Sequence, residues 1–453
     1  MTNTRFNLTA ARNGNGVSRI GDAMQTQRLV NALNTDPYEL VFARVRDHVM
    51  TDREEHLSQA DITAGKSDTR ERVRQIACAE LKEHNRLAPT LQLPLLGDDA
   101  IERILDDIFG LGPLEALMRD ETIEDIFVVG PDCVMSVGAA GMREHGEIRF
   151  PNPDVVVSLV NRAVAHEGKH LDPVNPMLDA RLRNKARIHA VMDPIAEPSP
   201  AITIRKRRLV ARHFDDLIRL GTLTPQAGQL ITLLVKARVS ILVAGATGAG
   251  KTNFLNALGT LLPPSERVVT IEDTRELELP HKNVVYLITR LASERTSEIT
   301  QRHLVKQALR MRPQRLIMGE ARDGAAADIV QAMNTGHEGT WASVHADSAG
   351  EALRRMEALY RQGFPDLQTE VIREELVRAF NVVVFIRRME GSVQRRVTEI
   401  IEVPGAIEHG VIARAPLFVD EGRGLQWTHQ WPAPALRKRL ADYGLDFREV
   451  AHA

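Results

Sequence analysis

The spacing of hydrophobic residues changes character along the chain, and each change marks a different kind of element. From Asp36 to Met118 apolar residues recur every three to four positions (Leu40, Val41, Val45; Val73, Ile76, Ala77, Leu81; Ile101, Ile104, Leu105, Ile108), with interruptions at Pro89 and Pro94. That is the period of helices burying one face, so residues 36–118 read as a helical region. Residues 1–35 carry Asn, Thr, Arg, Gly and Gln without a period and read as a mobile tail. Between Glu121 and Arg207 the apolar runs shorten to Ile126-Phe-Val-Val129, Ile188-His-Ala-Val-Met192 and Ala201-Ile-Thr-Ile-Arg205, set apart by Gly, Pro and Asn. Short strands with one helix near 155–167 predict an α+β N-terminal domain over 119–208.

A linker over 209–220 follows, with a short helix near 214–220. Over 221–403 strand-like and helix-like segments then alternate, as a mostly parallel α/β sheet requires. Past Arg388 a β-like piece runs over 393–403. The polar stretch 404–453, through Trp427 and Trp431, reads as a C-terminal tail to which the pattern assigns no structure.

Composition narrows the class without naming a chemistry. The chain has 453 residues, 43% hydrophobic and 26% charged, with a net charge of −2, the profile of a multidomain globular protein. Near-neutral charge argues against a surface that coats nucleic acid, so no specific nucleic-acid partner is expected. No run of 18 apolar residues occurs, so no transmembrane segment and a cytoplasmic location are expected. Two cysteines, Cys78 and Cys133, are too few for a four-thiolate zinc site and read as buried small hydrophobes.

The strongest chemical signal is Gly245-Ala246-Thr247-Gly248-Ala249-Gly250-Lys251-Thr252, directly after the apolar run Val239-Ser-Ile-Leu-Val-Ala244. In a G-x-x-x-x-G-K-T loop the glycines let backbone N–H groups converge on phosphate oxygens, and the helix that follows adds its positive end. Lys251 then reaches the β- and γ-phosphates of a bound nucleoside triphosphate, and Thr252 ligates Mg2+.

Such a loop needs carboxylates from neighbouring strand ends. Arg315-Leu-Ile-Met-Gly-Glu320 offers Glu320, and Arg267-Val-Val-Thr-Ile-Glu272-Asp273 offers two more. An ordinary Walker B strand ends in Asp-Glu, and Gly319 stands here in the Asp place. Glu272 or Asp273 is therefore expected on the metal side, with Glu320 polarising the attacking water. Thr340-Trp-Ala-Ser-Val-His345 places His345 at a third strand end, where an imidazole could sense the γ-phosphate; His337 lies just upstream. Arg181, Arg187 and Arg205 fall in the α+β domain, from which guanidinium groups could reach transferred phosphoryl charge. Lys206 to Arg208 read as a solvated basic linker.

In this order the blocks resemble the type II/type IV secretion traffic ATPases, in particular the CpaF-like branch of tight-adherence pilus assembly. The likeness rests on Gly112-Pro-Leu-Glu, Pro176-Met-Leu-Asp-Ala-Arg, Ala201-Ile-Thr-Ile-Arg-Lys, Gly245 to Thr252, Thr270-Ile-Glu-Asp, Ala308-Leu-Arg-Met-Arg-Pro, Gly319-Glu-Ala-Arg and Asn334-Thr-Gly-His-Glu-Gly-Thr. It spans about 109–401. The resemblance implies a RecA-like P-loop core, ATP and Mg2+ as cofactors, a Walker A loop at Gly245–Thr252 extended by Asn253, an Asp box with Glu272 and Asp273, an atypical Walker B ending in Glu320, and a His box from His337 to His345. It further implies a homohexamer, peripheral on the inner membrane and working on a platform protein there, with Arg181, Arg187 and Arg205 as phosphate-contacting or interface arginines. Asn253 stands where a second Thr is common, and Trp341 where a smaller residue is common; both bear on rate. The tetracysteine zinc module of type II secretion ATPases is absent. Two other functions compete: a nucleotide-switched scaffold with little turnover, and a DNA-translocating ATPase of a conjugative system.

Overall fold

The computed structural model describes residues 36–51, 67–138, 141–206, 213–290, 292, 296–389, 392, 394–422 and 424–451. The tail assigned to 1–35 and the basic residues Arg207 and Arg208 lie outside them. The chain divides into two compact units, Met1–Arg207 and Arg208–Ala453.

In the first unit, helices Pro37–Thr51, Ser67–Leu91 and Asp99–Phe109 bury Val41, Val45, Val73, Ala77, Leu81, Ile104 and Leu105 against one another. These are the residues whose spacing predicted helices. Pro89 does not break its helix, which runs through it to Leu91. So near the end, proline removes one hydrogen bond from a turn that is about to finish.

The remainder of this unit is a six-stranded antiparallel sheet of β1 (Ile123–Val129), β2 (Cys133–Gly138), β3 (Gly141–Glu144), β4 (Met177–Arg181), β5 (Arg187–Val191) and β6 (Ala201–Arg205), ordered β3-β2-β1-β6-β5-β4. Helix Pro153–Val164, capped by the Asn152 side chain, covers its apolar face with Val156, Leu159 and Val160. Cys78 and Cys133 are free thiols, half-buried rather than enclosed.

The second unit is built on a nine-stranded sheet. Its strands are β7 (Ile241–Ala244), β8 (Val268–Glu272), β9 (Val284–Ile288), β10 (Arg315–Met318), β11 (Trp341–Val344), β12 (Val382–Arg388) and β13 (Arg395–Glu402), with β16 (Ala415–Asp420) and β17 (Leu425–Trp427); the short pair β14 (Ile407–Glu408) and β15 (Val411–Ile412) stands apart. The order is β17-β16-β13-β12-β7-β11-β10-β8-β9. From β12 to β9 every neighbouring pair is parallel. The inner strands of this run are buried on both faces, Ile241 and Val243 joining one core layer and Leu242 and Ala244 the other, while β9 at the edge is only partly buried. This is why the sequence reads there as continuous apolar runs.

Two differences from the sequence reading bear on function. The C-terminal stretch has structure of its own: β16 pairs antiparallel with β13 and β17 antiparallel with β16, extending the sheet, while Leu436, Leu440, Phe447 and Val450 enter the core beside helix Pro225–Lys236. Two- to six-residue strands with few apolar residues carry little period of their own; partner strands organise them. Trp341 is fully buried at the start of β11, with the Arg315 guanidinium 6.0 Å from its ring centroid. Arg315, itself buried, is held by Glu266 at 2.6 Å. The bulky residue is a core element and not part of the phosphate loop.

Candidate functional site

Strand polarity assembles the site. Because β7, β8, β10 and β11 are parallel, the residues after their C-terminal ends share one edge of the sheet, where α/β proteins bind ligands. Gly245, Asp273, Glu320 and His345 all fall on that edge.

The loop after β7 leads into helix Lys251–Gly259. Gly250 precedes it in the left-handed region (φ +97°), and a Cβ on Gly245 would lie 2.3 Å from the Ile386 carbonyl oxygen. One position needs glycine for conformation, the other for close approach. Lys251 Nζ donates to the carbonyls of Gly245 (2.8 Å) and Ala246 (3.1 Å). Burial pulls the Lys251 ammonium below its ordinary value, Glu320 and Glu276 pull the other way, and Arg322 adds to the depression. A polyphosphate beside it would favour the charged form. Thr247 Oγ1 lies 3.5 Å from His345 Nδ1, so His345 reaches the loop.

The carboxylates are arranged differently from the sequence expectation. Glu272 is buried, and its Oε1 accepts the backbone N–H groups of Glu276 and Leu277, both at 2.8 Å. Burial pushes this carboxyl above its ordinary value, against those two bonds. As placed, Glu272 shapes the turn after β8. The residue that meets Thr252 is Glu276, with Oε2 3.1 Å from Thr252 Oγ1.

Asp273 is engaged by Arg322 (3.0 Å) and by Gln301 Nε2 (3.0 Å). Arg322 also pairs with Glu320 at 2.9 Å, so one guanidinium spans the acids of β8 and β10. A cavity of about 190 Å³ opens beside them, lined by Glu320, Arg322, His345 and Arg355 among others. It leaves room for water next to Glu320.

His337 does not join this edge. It precedes β11 and therefore sits at the opposite, amino-terminal edge of the parallel strands, where Nδ1 pairs with the Ala332 carbonyl at the end of helix Ala325–Asn334. Asn253 lies in the first turn of helix Lys251–Gly259. In the N-terminal unit Arg181 pairs in register with Arg187, and Arg187 with Arg205, on adjacent strands. The three stand in one row on one face of that sheet. Arg205 Nε donates to Asp125 at 2.9 Å.

Three residues of the site escaped sequence reasoning. Glu276 lies in a turn, and Arg395 reaches the loop from β13, its Nε 3.0 Å from the Gly248 carbonyl. Only Arg322 had a sequence signal, its place two residues beyond Glu320.

The residues fit a magnesium nucleotide. The loop offers a lysine already on its carbonyls and a hydroxyl beside a carboxylate. Among the described residues no cluster of three or more His, Cys, Asp or Glu could hold a metal ion.

A family model described as "Type II/IV secretion system protein" matches residues 108–406. The chain belongs to this family. A protein of Mycobacterium tuberculosis (strain ATCC 25618 / H37Rv) carrying a conjugal-transfer name is 36% identical over 317 residues, 68% of this chain and 89% of the relative. Conjugal transfer protein TrbB of Rhizobium radiobacter is 31% identical over 332 residues, 72% of this chain and 93% of its own length. VirB11 of Bartonella henselae is 29% identical over 350 residues, covering 69% and 96%. Among solved structures, the VirB11 ATPase of the Brucella suis type IV secretion system is 28% identical, covering 68% of this chain and 97% of that one at a TM-score of 0.36. That score supports no argument about overall arrangement. Family membership and the phosphate loop together make this chain a P-loop ATPase of the secretion type.

Proposed function

We propose that the chain is a Mg2+-dependent ATPase of the CpaF-like branch, acting as a ring of six copies that drives pilus assembly or protein secretion through an inner-membrane platform protein. The observation that carries this reading is the shared edge on which Lys251, Thr252, Asp273 and Glu320 converge. Bound ATP would supply the phosphoanhydride whose hydrolysis powers motion. Lys251 leaves the Gly245 and Ala246 carbonyls for phosphate oxygens, and Thr252 and Glu276 are the residues that would hold Mg2+, which would neutralise phosphate charge. Glu320, positioned by Arg322, takes the proton of the attacking water, and Asp273 keeps Arg322 in place. His345 reports on the loop through Thr247. Arg181, Arg187 and Arg205 serve phosphate or a neighbouring subunit.

Among the described residues no helix is long and apolar enough to cross a membrane. We take the protein to work from the cytoplasmic side, with force passing through a protein contact. A second reading, a motor of a conjugative system, is favoured by the conjugal-transfer names of the relatives. DNA that stimulates turnover with a steep salt dependence would select it.

The test is phosphate release across a protein concentration series, with Glu320→Gln and Lys251→Ala alongside. Specific activity is expected to rise with assembly, Glu320→Gln to bind ATP without turnover, and Lys251→Ala to bind poorly. An assembled wild type that binds ATP but releases no more phosphate than Glu320→Gln would replace the motor with the nucleotide-switched scaffold.

A further inference from the structure

The phosphate loop is contacted by a second cation that none of its motifs contains. Arg395 opens β13 and stands opposite Arg388, the last residue of β12. Strand β12 lies parallel to β7, with Phe385 beside Ala244, so the end of the β12–β13 hairpin rises on the phosphate side of the sheet. There the Ile386 carbonyl closes on Gly245, and the Arg395 side chain lies over Gly250, where a Cβ would come within 2.9 Å of its Cδ. Arg395 Nε donates to the Gly248 carbonyl at 3.0 Å, as Lys251 Nζ donates to the carbonyls of Gly245 and Ala246. Two cations thus rest on the carbonyls of one six-residue loop, whose N–H groups are shaped to take phosphate. The hairpin end also carries Arg387, Arg388 and Arg396, which raises the local positive potential.

We propose that Arg395 is a phosphate contact for the bound nucleoside di- or triphosphate, supplied by the ATPase unit of the same chain and distinct from the arginine row of the N-terminal unit. A guanidinium covering Gly250 lies within side-chain rotation of the phosphate site, where its forked N–H donors would make charge-assisted pairs with phosphate oxygens. Lys251 is placed to make the same exchange. The inference rests on the ATPase reading above.

The experiment is equilibrium titration of the full chain with fluorescent ADP and with a slowly hydrolysed fluorescent ATP analogue, together with thermal midpoints with and without nucleotide. Arg395→Ala is expected to weaken both nucleotides by about tenfold or more, the size of a lost charge-assisted bond, and to shrink the nucleotide-induced midpoint shift. Arg395→Lys should fall between, and Arg396→Ala, on the same hairpin but bonded to Gln394, should bind within about twofold of wild type. Should Arg395→Ala lower the nucleotide-free midpoint, Arg395→Lys decides: weaker binding at an unchanged midpoint supports the contact, and wild-type affinity overturns it. Equal losses in Arg395→Ala and Arg396→Ala would also overturn it, because the effect would then be the general field of the hairpin. A wild type that binds no nucleotide sinks the ATPase reading itself; a binding wild type with an unaffected Arg395→Ala sinks only this inference.

Discussion

Glu272 and Gly319 contend for one space: a Cβ on Gly319 would stand 2.9 Å from Glu272 Cγ. This accounts for the glycine in the Asp place of the Walker B strand. The side chain of the neighbouring strand end already fills the position, and its carboxylate organises the turn that delivers Glu276 to Thr252. Gly319→Ala is expected to cost about 1–3 kcal/mol, the usual penalty of overpacking. Glu272→Ala is costly alone, because it strands two N–H groups. Combined, the two should cost less than their sum, a coupling that a double-mutant cycle by chemical denaturation measures. Strict additivity would show that the two side chains do not compete.

Placing Glu276, rather than Glu272, beside Thr252 changes which variant alters the need for metal. Glu276→Gln should raise the Mg2+ concentration for half-maximal phosphate release by about tenfold, a typical cost of losing an outer-shell metal partner, while nucleotide binding without Mg2+ stays unchanged. A Mg2+ titration identical to wild type would remove Glu276 from the metal side.

Arg322 spans Asp273 and Glu320, so it sets where the water-polarising carboxylate rests without belonging to the phosphate loop. Arg322→Gln is expected to lower kcat by about 10- to 100-fold with KM within about threefold, the pattern of an interaction needed in the transition state and not for binding. Arg322→Lys should recover part of the rate, since one ammonium cannot hold two carboxylates in the forked geometry. A loss confined to KM would place Arg322 in nucleotide binding instead.

Glu402 ties the C-terminal segment to the sheet, its Oε2 accepting the Ala433 N–H at 2.9 Å just before helix Pro434–Asp442. Burial pushes its carboxyl above the ordinary value, with the Ala433 bond and Arg437 opposing. A raised folded-state value means the native state holds the proton more tightly than the unfolded chain. The stabilisation is complete below the ordinary glutamate value of about 4.3 and fades as pH rises through the folded value. Glu402→Gln stays neutral, so its thermal midpoint should gain on wild type as pH rises from the ordinary glutamate value of about 4.3 toward neutrality. A constant difference across that range would show that Glu402 titrates as it does in the unfolded chain.

Much of this protein is written in short stretches of its chain. The Walker loop is contiguous, and the apolar runs at 241–244, 268–271 and 315–318 announce strands buried on both faces. Parallel order then delivers Gly245, Asp273 and Glu320 to one edge without further information. The same polarity sends His337, which precedes β11, to the far edge.

Other features depend on partners distant in sequence or on the exact course of a turn. Glu276 reaches Thr252 because Glu272 binds the turn's N–H groups. Arg395 reaches Gly248 because an antiparallel hairpin folds back over the loop, and β16 and β17 exist because β13 offers them an edge. Hydrophobic period and local motifs report on a residue's own element, through the face it buries and the turn it allows. Which charge meets which carbonyl or carboxylate is set by strand order and side-chain packing, and those forces act between elements that the linear pattern does not connect.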